Sequence, residues 1–375
     1  MVYFKSLIRL ITFFIYHHGL CSVVQRQENK RKNQRLLVQI NSGIGDAILS
    51  LPLIHQLKKR GYEVHALTNP RTKSIAELCP DIDASYVLEY KLNRFVDEVR
   101  DILVLKRLKF SYFVGALPSN CIRDFFLPIF LKIPIRVKHI SPRQEVYRKY
   151  DFLSTKCIPA DRQKHNVESN LMLLPLLGER PGEERAHFHL ALPRNLSDGV
   201  RTKLRKLAFS DQKIHIGIHP GCLKTRPFKR WSVHHFIEVM NSMSKNPDLQ
   251  FCLFGGPDET ELIDPILREA RVQPVNLIGK LTLRETICAI SFCRIFISND
   301  SSLMHIATVF EIPVISLFGD GSNEKATGPY GAQNIILKRP AIGQISPEEV
   351  VGELKRLLES DKTGRVAQDF GLRGG

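Results

Sequence analysis

Asp300 and His305 stand five residues apart in ISNDSSLMHIATVFEIPVISLFG, residues 297–319. An apolar run stops there, Ser301 and Ser302 follow the aspartate, and helical periodicity begins. A helix starting at about residue 301 turns its first backbone N–H groups toward the strand end, where unpaired N–H groups and the helix dipole favour an anion. His305 lies about one turn in, so a diphosphate on those groups is within reach of its imidazole. A capped helix with an internally satisfied histidine fits the same spacing.

Three other loops carry residue types that do chemistry. NSGIGDAI (41–48) sets Gly43 and Gly45 after an apolar run, which permits a tight turn and close backbone approach to a ligand. Asp46 then falls near a helix N-terminus, where it serves either as a capping carboxylate or as a reacting group. The spacing is not GxGxxG, so a dinucleotide fingerprint is poorly supported. HPGCLKTRPFKRWSVHHF (219–236) opens with His219, Pro220 and Gly221 and places Lys224, Arg226, Lys229 and Arg230 before a helix. That is an anion site or a solvated basic loop. Lys229 stands two residues before the only Trp, itself a candidate core anchor. FGGPDETEL (254–262) offers Asp258 or Glu259 to a ribose hydroxyl, or simply to the dipole of the next helix.

The segments that must position these loops alternate in type. RLLVQI (35–40), EVHALTNP (63–70), DASYVLEY (83–90) and FSYFVGALP (110–118) have strand character, and AILSLPLIHQLKKRG (47–61) has helical periodicity ending on Gly61. Pro and charge density rise over 179–194, where the domain boundary is expected. A second alternation follows. Its strands lie at 213–221, in LQFCLFGG, VNLIG, RIFISND and PVISLFG, and its helices at 231–245, 259–270, in LTLRETICAISFC and in SLMHIATVF. There is no sequence repeat, yet both halves have the same βα grammar. The expectation is α/β, with two doubly wound Rossmann-like domains facing across a cleft and ligands at the carboxyl ends of the strands. The expected division is a basic N-terminal segment over 1–34, a first domain over 35–188, a second over 189–345 and a C-terminal helix and tail over 346–375.

A chain of 375 residues with 43% hydrophobic residues is long and apolar enough for two buried cores. Its net charge of +16 is uneven: 30 of the 54 Lys and Arg, but only 18 of the 38 Asp and Glu, precede residue 189. The first half therefore faces an anionic partner or presents a solvated basic face. No aromatic-interleaved basic motif accompanies the charge, so nucleic acid is not expected. The eight Cys include no CxxC pair, and five lie in or beside apolar stretches. This argues against a zinc site and for a reducing compartment. In MVYFKSLIRLITFFIYHHGLCSVV, Phe4, Leu7, Ile8, Ile11 and Phe14 fall at helical spacing, interrupted by Arg9, with KRK at 30–32 following. The run is too short for a spanning helix. An interfacial helix on an inner-membrane surface, a buried accessory helix and a cleaved signal all remain open.

In this order, GIGDAILSLPLIHQLKK, IHPGCLKTRPFKRWSVHHF, FGGPDETE and LIGKLTLRETICAISFCRIFISNDSSLMHIATVFEIPVISLFG resemble the heptosyltransferase family of glycosyltransferases, family 9. The resemblance covers roughly residues 35–340, and SNDSSLMHIA with PVISLFG is its most specific part. HNVESNLMLLPLLG (165–178) also looks like the family's segment joining the domains. The resemblance implies the GT-B fold and an inverting, metal-independent transfer with no cofactor, from a nucleotide-sugar donor, ADP-heptose, to an anionic glycolipid of the lipopolysaccharide core. It implies Asp46 as catalytic base, Lys229 at the donor phosphates, Glu259 rather than Asp258 at the ribose, and Asp300 and His305 in the donor site. Cytoplasmic work at the inner membrane follows. The chain departs from the family at Ser302, where Gly is frequent, and at Cys222-Leu223, where a small residue with Ser or Thr is frequent. Both bear on which donor is used. The alternatives are the same chemistry with another nucleotide sugar, a nucleotide-sugar epimerase and a non-enzymatic binder. Against the last stands the presence of both Asp46 and Lys229.

Overall fold

The computed structural model describes residues 34–89, 95–117, 123–140, 151–180, 186–223, 225–331 and 333–360. The N-terminal segment read as a membrane-surface helix, and Lys224, lie outside the described residues. The chain divides into two compact units after His189.

The first unit holds a parallel sheet of β1 (Arg35–Gln39), β2 (Glu63–Thr68), β3 (Ala84–Val87), β4 (Tyr112–Gly115), β5 (Ile135–Ile140) and β6 (Lys156–Pro159). The order is β3-β2-β1-β4-β5-β6. Four of the five residues of β1 are buried, as a central parallel strand covered on both faces requires. The helix Ile44–Lys59 returns the chain from β1 to β2, and Gly61, at φ +85°, turns it off in the left-handed conformation that closes many helices. Leu37, Leu67, Phe110, Phe113, Leu127 and Ile133 pack as one apolar cluster. The stretch 165–178 forms the helix Asn166–Leu171 and a 3₁₀ turn, and it packs inside this unit against the helix Ile44–Lys59. There the buried Asn170 side chain accepts from the Leu117 N–H at 2.9 Å and donates to the Leu49 carbonyl at 3.3 Å.

The second unit repeats the plan with β7 (Ile214–His219), β8 (Leu249–Leu253), β9 (Val275–Asn276), β10 (Ile295–Asn299), β11 (Val314–Phe318) and β12 (Ile335–Lys338), ordered β12-β11-β10-β7-β8-β9. Counted within each unit, both sheets have the doubly wound order 3-2-1-4-5-6. The shared βα grammar of the two halves is therefore shared topology. Trp231 and Phe236 anchor the core with Ile216, Ile297 and Leu317. The helix Pro347–Ser360 adds Val350 and Leu354 to it and packs on the helix Val233–Ser242.

The helix expected over 259–270 is two pieces, a 3₁₀ turn Pro257–Leu262 and a helix Ile263–Glu269. Three strands carry too little pattern to stand out in the sequence. In β5, Arg136, Lys138 and His139 break the apolar run. The sheet-edge strands β6 and β12 are four residues each, and β6 ends on a proline, which an edge tolerates. Among the described residues the six cysteines are free. Burial pushes the Cys79 thiol up to about 12 and raises Cys252 and Cys293 as well, so they pack as inert small hydrophobes.

Candidate functional site

In a doubly wound sheet the loops part at the point where strand order reverses, and ligands lie at the carboxyl ends of the strands there. In the second unit that point is between β7 and β10, which pair in parallel with Ser298 opposite His219. His219 is the last residue of β7, and Asp300 and Ser301 directly follow β10. The sequence candidates of this unit are therefore brought together by topology.

The helix Ser302–Val309 begins here with Ser301 as its N-cap, but the Ser301 hydroxyl makes no capping bond. It bonds instead to His219 Nδ1 at 2.7 Å and to Ser298 Oγ at 3.0 Å. The first-turn N–H groups are left without a side-chain cap from Ser301, an arrangement that suits an anion. His305 is on the first turn and buried, at 5% exposure, and its carbonyl accepts from the Thr308 hydroxyl at 2.7 Å.

Among the described residues Lys229 is the one Lys or Arg of its loop that pairs at this strand end. It ends a 3₁₀ turn Pro227–Lys229, and its ammonium pairs with the Asp300 carboxylate, both side chains being about nine-tenths buried. Arg230 points to Glu261 at 3.6 Å, and Arg226 is exposed. Trp231 fixes the loop. Its ring is fully buried, its indole N–H donates to the Ile345 carbonyl at 3.0 Å, and its backbone N–H donates to Asn299 Oδ1 at 3.0 Å. The core-anchor role and the placement of Lys229 are thus one device.

Asn299 is the residue that sequence reasoning missed. Fully buried at the end of β10, it also donates from Nδ2 to the carbonyls of Pro220 and Gly221, at 2.9 and 3.1 Å. One side chain thereby ties the β7 loop, the lysine loop and the aspartate loop together. The signal available was a short amide closing an apolar strand, where only a satisfied one is tolerated.

Glu259 turns inward. Its carboxylate accepts from the Gly256 N–H at 2.9 Å and lies 3.1 Å from His219 Nε2. Gly221 passes so close that an added Cβ would stand 1.8 Å from Glu259 Oε1, which explains glycine at this position. Burial works to raise the Glu259 carboxyl. Its bonds and charge from His219, the Gly256 N–H and Arg230 outweigh that and hold it below its ordinary value of 4.5. A carboxyl lowered by folding contributes stability above the unfolded value and loses it as pH falls through the folded one. The melting-temperature gap between the parent and Glu259→Gln should therefore be widest at neutral pH and narrow below about pH 5. A gap unchanged down to about pH 3 would remove this carboxylate from the acid response.

The loop of the first unit occupies the equivalent place in its own sheet, after β1, whose neighbours are β2 and β4. The helix starts at Ile44, so Gly45 and Asp46 belong to its first turn, and Asp46 Oδ2 accepts from the Gly43 N–H at 3.1 Å. The capping contact expected of a carboxylate at this position is present. Asn69 braces the loop from β2, donating from Nδ2 to the Asn41 carbonyl at 2.5 Å and the Ser42 carbonyl at 3.1 Å.

Two doubly wound parallel sheets, the second with a lysine, a histidine pair and an uncapped helix start at its switch point, define a protein of the GT-B class. The chain belongs to glycosyltransferase family 9, the heptosyltransferases, whose sequence model matches residues 126–350. It is 24% identical over 347 residues to lipooligosaccharide heptosyltransferase 2 of Campylobacter jejuni serotype O:6, covering 86% of this chain and 99% of that one. Its fold matches the glycosyl transferase family 9 structure from Veillonella parvula with a TM-score of 0.76 at 22% identity, over 88% of this chain and 98% of that one. It also matches E. coli ADP-heptose LPS heptosyltransferase II, with a TM-score of 0.73 at 19% identity, over 88% of this chain and all of that one.

Proposed function

We propose that this chain transfers a heptose from ADP-heptose to a phosphorylated lipopolysaccharide-core acceptor, with inversion at the anomeric carbon and without a metal at the reacting centre. The observation that carries this is the switch-point cluster of the second unit in a family 9 chain. A lysine and uncapped helix N–H groups are what a sugar diphosphate needs, and Asp300 holds the lysine beside them. Asp46 takes the proton of the acceptor hydroxyl, that oxygen attacks the anomeric carbon, and the bond to the diphosphate breaks. Lys229, the N–H groups from Ser302 onward and His305 balance the charge of the departing ADP. Gly43 and Gly45 let the backbone of the first loop approach the bound donor sugar. His219, Pro220 and Gly221 form the floor of the donor loop, with Glu259, on the ribose side, holding His219. Ser301 and Ser302 face the phosphates beside Asp300.

Family membership favours transfer over epimerisation. The same E. coli neighbour is named for ADP-heptose and lipopolysaccharide, which supports this donor and this acceptor class. Among the described residues no helix is long and apolar enough to cross a membrane. Work from the cytoplasmic face, with the basic first half and residues 1–24 toward an inner-membrane surface, fits a glycolipid acceptor.

The test is a donor screen reading nucleoside diphosphate release from ADP-heptose and from UDP- and GDP-sugars, with and without lipid-linked core acceptor. Release that needs both ADP-heptose and acceptor is expected. Preference for another sugar overturns the donor, and release of free sugar without acceptor overturns transfer. Turnover should also survive excess EDTA, because the leaving group is met by Lys229 and backbone N–H groups. Loss in chelator while the chain stays folded, restored by magnesium or manganese, would refute the metal-free step.

A further inference from the structure

The chain's one DxD-like pair, Asp81 and Asp83, separates into two unrelated settings in the first unit. Asp83 accepts from the Lys58 ammonium and from the Val64 N–H. Asp81, 7% exposed, has a different company: its Oδ2 lies 2.9 Å from His55 Nδ1 and 3.0 Å from His189 Nδ1. Among the described residues Asp81 has no Lys or Arg partner. The ligand-capable atoms of the three residues all lie within 4.8 Å of one another. A third imidazole, His187, has its ring centroid 4.9 Å from that of His55 and 5.7 Å from that of His189.

We propose that His55, Asp81 and His189 form a binding site for a divalent d-block cation of the zinc type, with His187 as the nearest candidate for a fourth position. A buried carboxylate needs a compensating charge, and among the described residues no Lys or Arg stands against Asp81 to supply it. A divalent cation supplies it and satisfies both histidines. A ligating imidazole carries its proton on Nε2 and offers the Nδ1 lone pair, the atom that both rings already turn to this point. Two imidazoles and one carboxylate suit zinc, cobalt or nickel rather than the oxygen-seeking magnesium or calcium. Tetrahedral zinc holds nitrogen and oxygen ligands at about 2.0–2.1 Å, which sets them about 3.3 Å apart. The two Nδ1–Oδ2 spacings need to open by only a few tenths of an ångström to accept it. The His189 side chain is 40% exposed, which gives an entry path.

The placement separates this site from the proposed chemistry. The helix Ile44–Lys59 runs from the carboxyl edge of the first sheet to its amino edge, and His55 is near its end. Asp81 follows the helix Lys73–Leu78 and precedes β3, also at the amino edge. The Gly43–Asp46 loop is at the opposite edge. A cation here ties that helix, the turn before β3 and the last residues of the first unit, from which the chain passes on to the second. Its role is structural, so it is read through stability and binding rather than turnover.

The experiment uses the full chain stripped of metal with chelator and titrated with zinc and with cobalt(II) at a pH of about 7.5. One equivalent should bind, cobalt should show the ligand-field absorption of a low-coordinate nitrogen–oxygen site, and zinc a hundredfold above its Kd should raise the melting temperature by roughly 5 °C or more. His189→Gln, at a half-exposed position that folding tolerates, and Asp81→Asn should each abolish the absorption and the thermal shift. No stoichiometric uptake, or uptake undiminished in both variants, would overturn the site. Because uptake and melting are the readouts, the result stands whether or not the donor screen supports ADP-heptose transfer.

Discussion

Asp46→Asn should bind ADP as the parent does and turn over about 10²–10⁴-fold more slowly, the usual worth of a positioned general base. The substitution keeps the size of the side chain and an oxygen for the Gly43 N–H, so the start of the helix Ile44–Lys59 is preserved. What disappears is the negative charge that can take a proton. This separates two roles that coexist at the position. If Asp46 only caps its helix, the asparagine, itself a good acceptor near helix starts, should leave turnover intact and change stability by less than about 1 kcal/mol. If Asp46 is the base, kcat falls while ADP affinity, measured by calorimetry, does not. Turnover at the parent rate would remove the base assignment and leave the cap. Asp46→Ala is the less informative variant, because it removes both functions at once.

Why such a residue could be singled out before any coordinates, while others could not, has a physical basis. The loops at the strand ends are written locally: an apolar run, a glycine or two, then a polar residue at a helix start. Gly43–Asp46, His219–Gly221 and Gly255–Glu259 carry the glycine, Asp300–His305 has the apolar run and the polar helix start without one, and the identical winding of both sheets puts them at carboxyl edges. What holds the loops is not local. Asn299 acts on residues 68 to 79 positions away, His219 bonds a serine 82 positions away, and the three residues of the proposed metal site span 134 positions, from His55 to His189. Pairings of that separation leave no spacing in the sequence to read. The strands β5, β6 and β12 escaped for another reason: charges within β5 and the edge positions of β6 and β12 weaken the apolar pattern that marks a central strand. Glu259 shows a third case. Its residue type suggested a ribose contact or a dipole partner, but only the structure shows its carboxylate engaged by His219 and Gly256.

Lys229→Ala should weaken ADP binding by roughly 10- to 100-fold, the worth of one charge-assisted contact to phosphate, and should slow transfer at least as much. The expectation follows from how the lysine is held. Trp231, two residues on, is locked by the core and by Asn299, so the ammonium is delivered to the end of β10 without the loop having to order itself on binding. There it pairs with Asp300 beside the uncapped start of the helix Ser302–Val309. Removing it leaves the Asp300 carboxylate, 9% exposed, without that cation in the very place where a diphosphate must bring further negative charge. Two costs therefore add: a lost attraction and an uncompensated repulsion. Loss of one partner from a fully buried ion pair costs about 3–5 kcal/mol, so a lower melting temperature is expected as well. Lys229→Arg discriminates between the effects. It restores the charge and hence much of the stability, but a planar fork cannot reproduce the point contact of an ammonium, so ADP affinity should recover less than the melting temperature does. Calorimetry with ADP, run well below the melting point of each variant, reads the binding term alone. Lys229→Ala with parent affinity for ADP would take this lysine out of the donor site and reduce its pairing with Asp300 to a structural bridge.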